Sequence, residues 1–375
     1  MLTAVGFFIG ASQFVIVGVL DKVASSLGIS IGTAGQLVTA FAMANAIGAP
    51  LLMIAIARWK GQQQLILSLG IVILGIACTV LSDSYGVILL GRGLLGIGSG
   101  TFVAVSYTVA GLLASPNERA KAMANISMGF SLALVFGVPL GRMLTELYSW
   151  QLVFWLIGLF AVLSIGAVRI WIPSSLQEPA MSIRERLVAF RRFDVQGTLF
   201  LSFWVFLGYS VLNTYIAPFL QQLVGTQGPI SLLLLLIGLA SVMGSKTGGY
   251  LVSSLGSHRV LMTTLGLQVT GLLFASMLNL SIVLSIIGLL IWSLFVWAFG
   301  ISQSVRISFL APGSSGLLLT VNSALVQFGL AIGSALGAYA LGHYRVVDLA
   351  MISAFIELIG FCIGAYFIRQ WKRHS

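Results

Sequence analysis

The sequence predicts an all-α integral membrane protein in which twelve transmembrane helices form two six-helix pseudo-repeats. Hydrophobic residues make up 58% of the 375 residues and charged residues only 7%, whereas a soluble domain has about 25% charged residues. One polar segment, 173–194, holds seven charged residues and separates two apolar halves of similar length. The two halves also match one another at a constant offset of 196 residues. Lipid rather than water is therefore the expected solvent.

The individual helices follow from the lengths of the apolar runs, because a membrane-spanning helix needs about 20 apolar residues. The predicted spans 1 to 12 are 2–20, 33–57, 64–82, 86–113, 122–145, 150–172, 195–222, 229–252, 260–278, 281–305, 314–341 and 347–369. We expect an N-terminal bundle (1–172), a cytoplasmic linker (173–194) and a C-terminal bundle (195–375). Because no basic segment precedes the first run, it is predicted to be a span and not a cleavable signal peptide.

The distribution of Lys and Arg predicts the orientation. If the N-terminus is cytoplasmic, thirteen of these residues, Arg306 among them, fall in inside segments and only Lys22, Arg142 and Arg345 in outside segments. Basic loops face the cytoplasm. Both termini and the linker are therefore predicted on the cytoplasmic side, and the membrane is predicted to be the plasma or inner membrane. The net charge of +10 lies in short loops and not on one basic face, so we expect no nucleic-acid partner.

The repeat is visible in glycine and leucine positions. The matched pairs are Gly48 and Gly244, Leu65 and Leu261, Leu134 and Leu330, Gly137 and Gly333, Leu140 and Leu336, and Gly141 and Gly337. One offset serves two distant regions of each half, which indicates a duplication. Two parallel halves of six spans each resemble the arrangement of the major facilitator transporters, whose substrate path lies between the halves near mid-membrane.

Span 5 carries a glycine- and proline-containing pattern, GVPLG at 137–141. Small residues let helices approach closely in lipid, and Pro139 removes a backbone hydrogen bond and bends the helix. The pattern resembles the span-5 signature of major facilitator efflux proteins, although Val138 interrupts it and Arg142 stands at the final glycine. A simple packing seam with an incidental kink is the alternative. The predicted conformational motif consists of Gly129, Gly137, Pro139 and Gly141.

Further segments resemble the drug and metabolite efflux branch, most closely bacterial purine-efflux and sugar-efflux permeases. They are ISIGTAGQL at 29–37, GAPLL at 48–52, MGFS at 128–131, NSALVQ at 322–327 and GLAIGSALG at 329–337. The resemblance runs over essentially the whole chain. It implies export of a small organic solute by alternating access, with proton antiport as the driving reaction.

Two departures from that pattern weaken part of the implied mechanism. The loop after span 2, ARWKGQ at 57–62, keeps Arg58 and Lys60 as a predicted cytoplasmic gate but lacks the usual acidic residue. These bases alternatively mark only the inner face. In span 1, Gln13 stands where many relatives have a carboxylate, and an amide cannot titrate. Gln13 is expected to face the cavity, or to pair with another helix.

Two deep charges are the candidates for proton coupling. Glu357 lies within span 12, where an ionisable group is expensive and is a functional hypothesis by default. It could instead be paired structurally. Arg92 in span 4 resembles the family's span-4 arginine, which is thought to assist proton transfer, although its side chain could also snorkel or bind helix carbonyls.

Amide and aromatic side chains among apolar neighbours suit an uncharged, flat, hydrogen-bonding solute such as a purine. The alternative is that they are interfacial rings and interhelical amide contacts. The predicted substrate-binding residues are Gln13, Tyr209, Asn213, Trp297, Gln303, Asn322 and Gln327.

Other classes of function find no support in the sequence. The segment GSKT at 244–247 lacks the second glycine of a phosphate loop, and the histidines are far apart. We therefore expect no cofactor, no metal and no enzymatic activity. The expected partners are a small-molecule substrate, protons and membrane lipid, with the chain as a monomer. A proton-independent facilitator of the same fold is the rival prediction.

Overall fold

The computed structural model describes residues 1–115, 118–174, 193–225, 228–277, 281–310 and 315–374. Within these ranges the chain is almost entirely helical. It divides into two compact units, Met1–Met181 and Ser182–Ser375. Most of the predicted linker 173–194 lies outside the described residues, so its boundaries and the two predicted bundle limits stay a prediction.

Twelve spans are present in the described residues when a bent pair of helices is counted as one. Eleven helical segments are long and apolar enough to cross a membrane, and Leu2–Gly18 with Leu20–Leu27 form the bent pair. In the first unit the other helices are Ile31–Met43, Ala49–Ala55, Gly61–Val80, Tyr85–Leu113, Arg119–Leu132, Val138–Leu147 and Trp150–Trp171. In the second unit they are Phe193–Asn213, Ile216–Val224, Ile230–Leu255, Ser257–Ser276, Ile282–Leu310, Ser315–Leu341 and Leu349–His374. The all-α fold with twelve spans is confirmed, and the spans keep their predicted numbers.

Spans 2 and 5 each contain a π-helical turn, Ala44–Gly48 and Ala133–Gly137. Each turn ends at the glycine of a Gly-x-Pro triplet, two residues before Pro50 or Pro139. A proline has no N–H, so a carbonyl one turn earlier loses its donor. A wider turn lets carbonyls reach the N–H five residues on, as Ala44 O does. The prolines therefore widen these two helices locally without ending them.

Glycines bring span 5 against span 1. A Cβ at Gly129 would collide with the carbonyl oxygen of Thr3. A Cβ at Gly141 would lie 2.7 Å from a methyl carbon of Val15. The predicted motif is thus a close-packed seam between two helices, which is how small residues act in membranes.

The same seam recurs in the second unit at the predicted offset. A Cβ at Gly333 would collide with the carbonyl oxygen of Leu207, and one at Gly337 would lie 3.0 Å from that of Val211. Val211 is the counterpart of Val15, 196 residues further along. The pseudo-repeat is therefore a repeat of helix contacts and not only of residue types.

Spans 1 and 7, the first spans of the two units, each break near their ends, and the sequence did not predict these breaks. Span 1 turns by 68° at Val19 between its two helices. Span 7 stops at Asn213, and a new helix begins at Ile216. Continuous apolar runs hide such breaks because hydropathy does not report backbone direction.

Candidate functional site

Arg92 lies in the interior of the first unit with none of its surface exposed. Its Nη1 donates to Ser12 O on span 1 at 2.8 Å, and its Nε donates to Leu37 O on span 2 at 3.3 Å. The guanidinium carbon also lies 4.8 Å from the centre of the Phe41 ring. Arg92 therefore binds helix carbonyls and does not snorkel. No carboxylate contacts it within the part of the chain that the structure describes.

A close approach of spans 2 and 4 keeps Arg92 in place. Gly96 lies one turn beyond it, and a Cβ there would collide with the carbonyl oxygen of Phe41. Only a glycine permits this distance, so the backbone contact fixes where the guanidinium meets span 2. Arg92 consequently ties together spans 1, 2 and 4.

Gln13 follows Ser12, whose carbonyl Arg92 binds, and its side chain is half-buried. It forms no hydrogen bond to another described residue, so the predicted pairing with another helix is not seen there. Its role in binding substrate stays a prediction.

Arg142 belongs to a charge cluster that the sequence did not predict, in which Arg142 and Asp21 are buried and Glu146 is exposed. The count of Lys and Arg predicts Arg142 in an outside segment, whereas it lies in the helix Val138–Leu147 and is 2% exposed. It forms an ion pair with Asp21, which is 8% exposed, and its Nε lies 2.8 Å from Glu146 Oε1. The one signal in the sequence was a base at the final glycine of the span-5 pattern, one residue after Gly141.

The break in span 1 meets this charge cluster. Arg142 Nη1 donates to Gly18 O, the last residue of the first helix, at 3.2 Å. Asp21 lies in the first turn of the next helix. One guanidinium therefore satisfies a carbonyl released at the bend and a carboxylate beyond it. In the second unit the Tyr215 hydroxyl, at the corresponding break, donates instead to Ser334 O at 2.9 Å.

Glu357 lies inside the second unit and is fully buried. Its Oε1 accepts a hydrogen bond from Trp292 Nε1 on span 10 at 3.1 Å. Its Cγ packs on span 7, where a Cβ at Gly208 would lie only 2.8 Å away. The other oxygen, Oε2, has no partner among the described residues. Span 12 thus presents this carboxyl group to spans 7 and 10 and not to the surface.

Two of the predicted substrate-binding residues are linked to Glu357 through Trp292: Tyr209 contacts Trp292, and Trp297 lies near Tyr209. The Tyr209 ring centre is 5.1 Å from that of Trp292, and Trp297 Nε1, which lies near the Tyr209 hydroxyl, has no hydrogen-bond partner among the described residues. We call Tyr209, Trp292, Trp297 and Glu357 the Glu357 cluster. Trp292, which was not among the predicted site residues, is its central member.

Gln303, an amide candidate, lies at a different level of the second unit from Tyr209. Gln303 Nε2 donates to Thr198 O at 3.1 Å, and Arg306 Nε donates to Thr198 Oγ1 at 3.1 Å. Thr198 precedes Tyr209 by eleven residues, which is roughly 16 Å along a helix. Arg306 is predicted in an inside segment. It lies instead within the helix Ile282–Leu310 and is 4% exposed.

The remaining candidates are spread along spans 7 and 11. Asn213 is the last residue of its helix and is half-buried. Three of the candidates have a buried amide oxygen without a hydrogen-bond partner among the described residues: Gln303 Oε1, Asn322 Oδ1 and Gln327 Oε1. The six predicted substrate-binding residues of the second unit do not form one cluster, and the role of all seven stays a prediction.

Arg58 and Lys60 are exposed in the loop between spans 2 and 3. The loop is held at its far end by Gln62, whose Nε2 donates to the carbonyls of Val168, Arg169 and Ile172 at 3.4, 3.1 and 2.8 Å. This amide satisfies the free carbonyls at the end of span 6. The predicted gate residues therefore stand on a loop that is anchored to a neighbouring span, and gating itself stays a prediction.

Comparison with known proteins agrees with this architecture. The chain is 30% identical over 355 residues to the uncharacterized MFS-type transporter YbcL of Bacillus subtilis (strain 168). The matched region covers 94% of this chain and 91% of YbcL. Among solved structures, a mutant of the nucleoside transporter NupG has a TM-score of 0.74 at 13% identity, covering 98% of this chain and 100% of that one. The human organic anion transporter MFSD10 (TETRAN) has a TM-score of 0.70 at 18% identity, with 97% and 98% covered.

At these identities the two solved structures are similar in fold alone. The family model of the Major Facilitator Superfamily matches residues 2–334, which include all of spans 1 to 10 and most of span 11. Both the helix arrangement and the sequence match point to the same group of membrane transporters. The chain belongs to the Major Facilitator Superfamily.

Proposed function

We propose that this transporter exports a small organic solute across the cell membrane in exchange for protons. The observation that carries the proposal is Glu357, a fully buried carboxyl group on span 12 that contacts spans 7 and 10. A carboxyl group within a membrane span is costly and is retained where function needs it. The span-5 seam, whose sequence resembles efflux proteins, supports the outward direction.

Glu357 can take up and release one proton, and this changes the charge inside the second unit. In a low-dielectric interior, such a change acts strongly on neighbouring polar groups. Tyr209 and Trp297 lie within the same cluster and offer aromatic faces and a hydroxyl to an uncharged, flat solute. Arg92 serves as a fixed tie between spans 1, 2 and 4, because its Nε and Nη1 bind backbone carbonyls.

A proton-independent facilitator is the second candidate. It is favoured by Gln13, since an amide in the middle of span 1 cannot exchange a proton. The buried carboxylate of the first unit, Asp21, is engaged by Arg142. In this case Glu357 is a structural partner of Trp292 only.

Transport in inside-out vesicles separates the two candidates. Hypoxanthine, inosine, lactose and ethidium are the probes, added outside these vesicles. For one-to-one exchange of a neutral solute, a lumen more acidic by one pH unit raises accumulation by up to about tenfold, since 1.4 kcal/mol is a factor of ten. Accumulation that ignores the imposed gradient, together with normal counterflow, would establish the facilitator.

Glu357→Gln is the variant that tests the coupling residue. It keeps the size of the side chain and removes the proton exchange, so we expect the pH dependence to vanish while counterflow remains. Glu118→Gln is the matched control, because Glu118 is exposed in the loop before span 5. A pH-dependent Glu357→Gln variant would place the coupling elsewhere.

A further inference from the structure

Trp292 joins a proposed solute-binding ring to the proposed proton-binding group. On one side its ring centre lies 5.1 Å from that of Tyr209 at an angle of 31°. On the other side its Nε1–H donates to Glu357 Oε1 at 3.1 Å. No part of its surface is exposed. We propose that Trp292 is a positioning residue that couples a solute bound at Tyr209 to the proton state of Glu357.

The first step of this inference is the fixed orientation of the carboxyl group. An indole N–H is a donor only, so it holds Oε1 as an acceptor. Oε2 has no partner among the described residues and is the oxygen left to bind or release the proton. The contact of Gly208 with Glu357 Cγ leaves little room for another side-chain orientation.

The second step is that no charged side chain among the described residues near Glu357 competes with the hydrogen bond from Trp292. Span 7 presents Tyr209 to this region, and its Asp194 lies fourteen residues before Gly208. On span 10, Arg306 lies fourteen residues after Trp292, and that separation is roughly 21 Å along a helix. Both charges therefore belong to the far ends of their helices.

The other neighbours of Glu357 are equally free of nearby charge. On span 9, Gly271 approaches the backbone of Trp292, and Arg259 lies twelve residues earlier. On span 12 itself, Asp348 and the exposed Tyr366 each lie nine residues from Glu357. The indole N–H is thus the one polar contact through which a neighbouring ring can act on this carboxyl group in the described part of the unit.

The third step is the consequence for transport. The Tyr209 and Trp292 rings are already in contact. A solute that contacts the Tyr209 ring therefore pushes this ring against Trp292. Movement of the indole changes the Nε1–H to Oε1 hydrogen bond and hence the environment of the exchangeable proton. Solute binding and proton binding are then linked reciprocally.

This inference rests on the proposed function, and infrared difference spectroscopy of the purified protein tests the two separately. A pH step is expected to give a carboxylic C=O band, and Glu357→Gln identifies it by its loss. Trp292→Phe keeps an aromatic ring and deletes the donor, so the band should shift. The matched control is Trp204→Phe, because Trp204 Nε1 donates at 2.8 Å to the backbone oxygen of Ile356, the neighbour of Glu357.

A second measurement adds the four probes used for transport. The probe that is transported should perturb the band of the wild type, and its affinity should change about fivefold or more with the proton state of Glu357, the lower end of couplings between sites. Both effects should be lost in Trp292→Phe. Trp292→His retains a ring N–H and should keep part of both. If Trp292→Phe does not fold, Trp292→His and Tyr209→Leu make the comparison: the first retains the perturbation and the second loses it.

The outcomes distinguish the two proposals. A band that is unchanged in Trp292→Phe but absent in Glu357→Gln would overturn the coupling role of Trp292 and leave Glu357 as the proton site. No band lost in Glu357→Gln would overturn the proton site itself. An equal shift in Trp204→Phe would show that any lost indole donor disturbs span 12, and the specific role of Trp292 would fall.

Discussion

Arg142 and Asp21 form a buried ion pair between spans 5 and 1, although 121 residues separate them in the chain. The pair stands at the bend of span 1, where Arg142 also binds Gly18 O. A buried charge that loses its partner is strongly destabilising, whereas an intact buried pair adds little net stability. The loss of either charge is therefore expected to destabilise the protein at this bend.

Arg142→Met tests this dependence. It leaves the Asp21 carboxylate without its partner, and we expect a loss of about 3–5 kcal/mol in the free energy of unfolding. Thermal unfolding in detergent measures it. Arg345→Met is the control, because Arg345 is 68% exposed in its pair with Asp348 and such pairs contribute about 0–1 kcal/mol. Equal effects of the two variants would mean that the buried pair is not coupled to the fold.

The seam between spans 1 and 5 predicts the effect of a single methyl group. Gly129→Ala places a Cβ against the carbonyl oxygen of Thr3, and overpacking of this kind costs about 1–3 kcal/mol. Gly166→Ala in span 6 is the control, since nothing lies within 4 Å of its Cβ. We expect slower transport and a lower unfolding temperature for the first variant only. Two indistinguishable variants would contradict a close-packed seam.

Arg92→Lys separates charge from geometry. A lysine keeps the positive charge but cannot bind the carbonyls of Ser12 and Leu37 with a planar fork of donors. Because hydrogen bonds to charged groups contribute about 1.5–3 kcal/mol each, we expect a loss of about 2 kcal/mol or more in stability and reduced transport.

The control for this substitution is Arg169→Lys, at the exposed end of span 6, which should be neutral within about 0.5 kcal/mol. Full transport by Arg92→Lys would show that span 4 needs only a charge at this position.

The predicted orientation is tested by cysteine labelling in intact cells. In a background without Cys78 and Cys362, Asp83→Cys in the loop after span 3 should react with a membrane-impermeant maleimide, and Lys60→Cys in the loop after span 2 should not. Both positions are exposed. Inside-out vesicles should give the opposite pattern. A reversed result would place the termini outside and turn the proposed efflux into uptake.

The spans and the repeat could be predicted because they depend on residue type alone. Apolar length gave each helix, and the spacing of glycines such as Gly141 and Gly337 gave the repeat. The contacts of Glu357 could not be predicted, since Trp292 lies 65 residues away. A helix that is apolar all round has no amphipathic pattern to show which side faces its neighbours. The depth of Glu357 could be predicted from the sequence, but its partners could not.

The Arg142–Asp21 pair also has a consequence for synthesis. At about 5–20 residues per second, the ribosome makes Arg142 roughly 6–24 s after Asp21. During this interval the first span is already in the membrane, and its carboxylate at the end of that span must be satisfied by interfacial water. The bent first span is thus a product of late assembly, and a nascent chain that is stopped before span 5 should lack it.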